Sequence, residues 1–147
     1  MFELYDTPFY KALSESEKYG VNKMRDLLRR IEGPDTAKFA ILEDGVVVKA
    51  DQTLAMLWER KNPDACRIGK DEICGYEVST MFMSIACGYS GKERKPLHFE
   101  TMVFGPKGES TGQRYETLDE ARKGHASMVQ CLKERSEKLL QPLKDEE

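Results

Sequence analysis

Toward its C-terminal end the chain specifies one helix in two independent ways. Thr117-x-x-Glu120 is a capping box, in which the hydroxyl and the carboxylate satisfy orphan backbone N–H groups at a helix start, and Asp119 suits the positive end of the helix dipole. Downstream, Leu118, Ala121, His125, Met128, Leu132 and Leu139 recur at spacings of three, four or their sum, which is one apolar stripe. The spacing predicts a helix to about residue 138, roughly 30 Å long, with "QPLKDEE" frayed beyond it. A helix this one-sided needs a surface to cover, and Gly124 beside His125 lets it approach that surface closely there.

The segments before it supply the surface. "CRIGKDEICGYEVSTMFMSIACG" predicts a turn at Lys70-Asp71-Glu72 and then a long strand from Gly75 to about Ile85. Val78, Thr80 and Phe82 point to one side of that strand; Ser79, Met81, Met83 and Ile85 point to the other. Apolar residues on both sides suggest a central strand covered twice for part of its length. "CGYSGKERKP" reads as a loop, "LHFETMVFG" (97–105) as the next strand, "GPKGEST" as a turn cluster and "GQRYETL" as an antiparallel return.

The first half is punctuated by caps. Thr7-Pro8 starts a short helical turn through Leu13, and Ser14-x-x-Glu17 is a second capping box. Val21, Met24, Leu27, Leu28 and Ile31 then share a stripe that Gly33-Pro34 ends. "FAILEDGVVVKA" (39–50) is a hairpin around Asp44-Gly45. Asp51 caps a helix in which Leu54, Leu57 and Trp58 share a face, and Asn62-Pro63 ends it. Trp58 reads as a core plug. Together these elements predict an α+β fold: an antiparallel β-meander with the long C-terminal helix packed on one face and shorter N-terminal helices. Residues 1–147 form a single domain, with 1–14 and 140–147 expected to be loosely held.

Charge and composition exclude several classes. A net charge of -3 gives no global attraction to nucleic acid or to an anionic membrane. Two local basic groups, Lys92, Arg94 and Lys95 in one loop and Lys23, Arg25, Arg29 and Arg30 on one helix, read as solvated faces. Nucleic-acid binding through them would show as steep salt dependence. No apolar run approaches the roughly 20 residues of a membrane span, and "MFELYDTPFY" lacks the basic and apolar regions of a signal peptide. The expected location is cytoplasmic, with reduced cysteines. Cys66, Cys74, Cys87 and Cys131 contain no C-x-x-C, so buried structural thiols are expected rather than a metal site.

His125 is the most informative single residue. On the apolar stripe it faces the sheet, where its ring nitrogens need partners. Glu100 is the expected acceptor, with Arg114 and Tyr115 on the neighbouring strand completing a candidate binding cluster of Glu100, Arg114, Tyr115 and His125. A carboxylate orienting a histidine is half of an acid–base arrangement. It is also a common way to hold a helix on a sheet, and that structural reading is preferred. Ser79 and Thr80 lack the G-x-S-x-G elbow of a hydrolase, so they read as ladder residues. Cys87, in a glycine-flanked loop, is a somewhat better nucleophile candidate. No P-loop, dinucleotide fingerprint, EF-hand or H-E-x-x-H occurs, and no cofactor is expected.

Read in order, "EVSTMFMSI", "PLHFETMVFG" and "RYETLDEARKGHASMV" resemble a group of small proteins encoded by bacteriophages and prophages. In that group V-S-T-x-F is followed by F-E-T-M-[VI]-F-G, then by R-Y-x-T and a helix containing E-A-x-x-G-H. The resemblance spans residues 76–129 and implies origin rather than mechanism: a phage accessory protein in the cytoplasm of the infected cell. Glu100, Arg114, Tyr115 and His125 match the group's pattern. Ile85-Ala86-Cys87 stands where the group has Leu-Asp-His, and His98 where it has an aliphatic residue, which makes His98 the less informative histidine. The expected function is a non-enzymatic binding module that modulates a host or defence protein, with a homodimer through a strand edge or the last helix as a further expectation. The alternative is a nucleotide- or phosphate-binding protein, or an enzyme, built on the four-residue cluster.

Overall fold

A computed structural model describes residues 7–32 and 38–144. Thr7 caps α1 (Pro8–Ala12) with its side chain accepting from the Tyr10 N–H. The Ser14–Glu17 capping box forms in both directions at 3.1 Å and opens α2 (Glu15–Glu32). Glu17 also pairs with Lys61, and that hydrogen bond holds its carboxyl down at about 2. The α2 stripe is only partly covered: Val21 is buried, while Met24 and Leu27 lie on the surface.

Strands β1 (Phe39–Glu43) and β2 (Val46–Ala50) form the expected hairpin, with Asp44 at φ 47° and Gly45 at φ 78° in its turn. Asp51 accepts from the Leu54 N–H at 2.9 Å to cap α3 (Gln52–Lys61), and it also pairs with the buried Arg25 of α2. The two ion pairs, Arg25–Asp51 and Glu17–Lys61, therefore lash α2 to both ends of α3. Trp58 is indeed core, edge-on to Phe82 at 5.4 Å.

The main sheet holds β3 (Arg67–Ile73), β4 (Tyr76–Phe82), β7 (Phe99–Phe104) and β8 (Ser110–Tyr115) in the order β3-β4-β7-β8, all antiparallel. Lys70, Asp71 and Glu72 lie within β3 rather than in a turn. The turn sits at Cys74 (φ 50°) and Gly75 (φ 85°), so glycine rather than the run of charges marks the reversal. Strand β4 ends at Phe82; beyond it, Ala40 donates to the Ser84 carbonyl and ties the β1–β2 hairpin to the sheet. The expected loop after it contains a small hairpin, β5 (Gly88–Ser90) with β6 (Lys95–Leu97).

Helix α4 (Leu118–Lys144) crosses all four strands and outlasts the expected end near 138. Its N-cap hydroxyl, from Thr117, accepts from the Glu120 N–H, while Glu120 reaches back to Glu116. Ala121 sits in a core with Phe82, Phe99 and Tyr115, and Leu132 in a second one with Val78 and Val103. Each wholly buried phenylalanine contributes about 1.5–3 kcal/mol. Val78, Thr80 and Phe82 of β4 are buried beneath α4; on the other face, among the described residues, Met81 and Phe104 of β7 are exposed while Ser79 and Met83 are half-buried, so that face is the more open one.

Candidate functional site

Strand β4 carries Thr80 on its covered face, level with Thr101 of β7. Their hydroxyls are 2.6 Å apart, and Thr80 Oγ1 is also 2.7 Å from His125 Nδ1. The far nitrogen, Nε2, lies 2.7 Å from Asp71 Oδ2 of β3. A carboxylate only accepts, so with a neutral ring the proton sits on Nε2 and the chain has a direction. In that state Nε2–H donates to Asp71, Thr80 O–H donates to His125 Nδ1, and Thr101 O–H donates to Thr80. His125 reaches this position because α4 lies close here: the ring sits over Gly69, where a Cβ would stand only 3.0 Å from it.

Hydroxyl, imidazole and carboxylate in series are the parts of a nucleophile triad. The setting argues against that chemistry. Thr80 and Thr101 are wholly buried, so no substrate reaches the hydroxyl, and both imidazole nitrogens are spent on the fold. The expected His125–Glu100 pair does not form. Side chains alternate along β7, so Phe99, Thr101 and Val103 point to α4 while Glu100 points to the open face. There Glu100 pairs with its cross-strand neighbour Arg114 at 2.8 Å. Tyr115 and His125 lie on the helix side, so the four candidate residues divide into two pairs on opposite faces.

Asp71 and the Thr80–Thr101 pair were missed as partners of His125. The signal for Asp71 was its period-two placement with Gly69 and Ile73, hidden by reading the charged run as a turn. His98 is buried with Nδ1 2.7 Å from the Met83 carbonyl and its ring stacked on Phe82. Burial pushes its pKa down, against a smaller upward pull from that carbonyl. Cys87 is no activated nucleophile: burial first, then the Glu100 charge, pushes its thiol up, and the sulfur points at the Leu97 carbonyl at 3.1 Å. Of the other thiols, Cys66 is buried as expected, whereas Cys74 and Cys131 are exposed.

A groove of about 630 Å³ runs between β8 and α4. Gln113, Arg114 and Tyr115 line its strand side, and Glu120, Lys123, Gly124, Ser127, Met128 and Cys131 its helix side. At one end the Tyr115 ring fills the notch left by Gly124, and a methyl group there would overlap the tyrosine hydroxyl. That hydroxyl is buried with no hydrogen-bond partner among the described residues. Among the described residues, no three acidic, cysteine or histidine side chains gather as a metal site, and no helix is long and apolar enough to cross a membrane. No family model, curated protein or solved structure matches the chain.

Proposed function

We propose that this protein is a non-enzymatic binding module, a phage accessory protein that engages a host or antiviral-defence component in the cytoplasm of the infected cell. One observation carries the reading: the two histidines and Cys87, the groups best placed by sequence for acid–base or nucleophilic chemistry, are committed to the fold. His125 spends both nitrogens on Thr80 and Asp71, His98 is buried against Phe82, and Cys87 is held as a thiol. The groove beside β8, by contrast, stays open to a partner.

The rival, a pocket for a phosphate-bearing ligand, needs Glu100, Arg114, Tyr115 and His125 on one cavity; Arg114 and Tyr115 line the groove, but Glu100 and His125 do not, which makes it the weaker reading. The test is affinity capture on the immobilised full chain from host lysate, with and without infection. A stoichiometric partner supports the module. Repeated recovery of the chain alone, or turnover of a nucleotide by the purified protein, overturns it.

A further inference from the structure

The two edges of the main sheet differ in how they are defended. Strand β3 carries a β-bulge between Arg67 and Gly69 and the charges of Arg67, Lys70, Asp71 and Glu72, all of which discourage another strand from pairing. Strand β8 runs Ser-Thr-Gly-Gln-Arg-Tyr with no bulge, no proline and no charge before Arg114. Its outer backbone groups follow from the ladder. Met83 N–H donates to the His98 carbonyl, so His98, Glu100, Met102 and Phe104 direct their backbone groups towards β4. Phe99, Thr101 and Val103 therefore bond to β8, at Tyr115, Gln113 and Thr111. The same alternation follows from the other end, where Gly105 N–H donates to the Glu109 carbonyl. The N–H and C=O groups of Ser110, Gly112 and Arg114 are left pointing outward, and no described strand pairs with them.

We propose that this edge binds an extended, acidic segment of a partner protein as a fifth strand, with alternate side chains seated in the groove against α4. The inference rests on the binding-module reading and names the chemistry of the partner. An added strand gains main-chain hydrogen bonds at the three outward-facing residues, and specificity comes from every second side chain. On the helix side those side chains meet the Tyr115 ring, Met128 and Ser127, which suit small and apolar residues. The described groove wall carries two cations, Arg114 and Lys123, against one carboxylate, Glu120, and this positive surplus calls for a carboxylate beside Lys123. A second copy of the chain is the poorer occupant: between Ser110 and Tyr115 its β8 carries a cation, Arg114, and no carboxylate, with Glu109 and Glu116 lying outside the paired residues.

The test uses the full chain and a display library of random dodecapeptides, followed by synthesis of a selected peptide. Expected sequences are β-prone, lack proline at the centre and carry Asp or Glu at a fixed position. On binding, amide hydrogen exchange at Ser110, Gly112 and Arg114 should slow by about tenfold, while Thr111, Gln113 and Tyr115, already bonded to β7, change little. Lys123→Glu should weaken the peptide by about three- to tenfold. Ser127→Arg, a change on the exposed helix surface that fills the groove, should abolish binding without altering thermal unfolding. Selection of no peptide overturns strand addition, as does binding that leaves those three amides unprotected; in the second case the module reading survives with its surface elsewhere. Concentration-dependent protection of the same amides in the chain alone would assign the edge to a second copy and overturn the peptide.

Discussion

Replacing Thr80 by valine removes one oxygen atom, keeps the shape of the side chain, and cuts the buried polar chain at its middle. Two hydrogen bonds go, at 2.6 Å to Thr101 and 2.7 Å to His125. The larger cost is what they leave behind: a wholly buried Thr101 hydroxyl and a mostly buried imidazole nitrogen with no partner. Unsatisfied buried groups cost about 1–3 kcal/mol each, so Thr80→Val should lose about 2–6 kcal/mol. For a chain of this size that lowers Tm by about 6–18 °C. Urea denaturation followed by tryptophan fluorescence measures it directly, because Trp58 lies against Phe82 in the same core. The sharper check is the double variant. Adding Thr101→Val removes the orphan hydroxyl, so Thr80→Val/Thr101→Val should be no less stable than Thr80→Val alone. A single variant that loses under about 0.5 kcal/mol, within the range of surface substitutions, would refute the buried chain. A double variant that loses the sum of two independent penalties would refute the coupling.

Gly124→Ala should invert the usual helix preference: alanine normally gains about 1 kcal/mol over glycine in a helix interior, but here its methyl meets the Tyr115 hydroxyl and the protein should be destabilised by about 2 kcal/mol. Tyr115→Phe removes an unpartnered buried hydroxyl and should be neutral or stabilising by thermal melting, but it should not rescue Gly124→Ala, because the ring carbons Cζ and Cε1 still overlap the added methyl. His98 makes stability depend on pH. Its folded pKa lies below the unfolded value near 6.5, so its contribution is complete above that value and is lost as pH falls through it towards the folded pKa. The urea midpoint should therefore drop between pH 7.5 and 5.5, and His98→Gln should flatten that slope. Thiol titration of the native protein should show Cys74 and Cys131 reacting quickly and Cys66 only on unfolding, which mass spectrometry of the labelled peptides would check.

Caps and reversals were readable because they are local. Thr7-Pro8, the Ser14–Glu17 box, Asp44-Gly45 and Asp51 form as written, and at the second box Thr117 caps as expected while Glu120 reaches one residue further, to the Glu116 N–H. The stripe on α4 was readable for a related reason. A period of 3.6 fixes which residues share a face, whatever that face later covers, and so Ala121, His125 and Leu132 all point inward. The antiparallel meander followed from turn signals spaced too closely for crossovers. Where charge was taken as a turn signal, at Lys70-Asp71-Glu72, the reading failed, because an edge strand with one solvated face carries charges as readily as a turn does.

By itself the sequence determined that His125 would be turned toward the sheet and would need hydrogen-bond partners there. Which partners it found was decided only by tertiary structure. Register places Glu100 opposite Arg114 on the open face and Thr80 level with Thr101 on the covered one, and a shift of one residue would exchange them. The order of the strands likewise leaves β8 at an edge with three residues' backbone groups outward. Neither fact can be read from spacing along one segment. Both depend on how separate strands align, and that alignment is set by burying Phe82, Phe99 and Tyr115 together beneath Ala121 and Gly124.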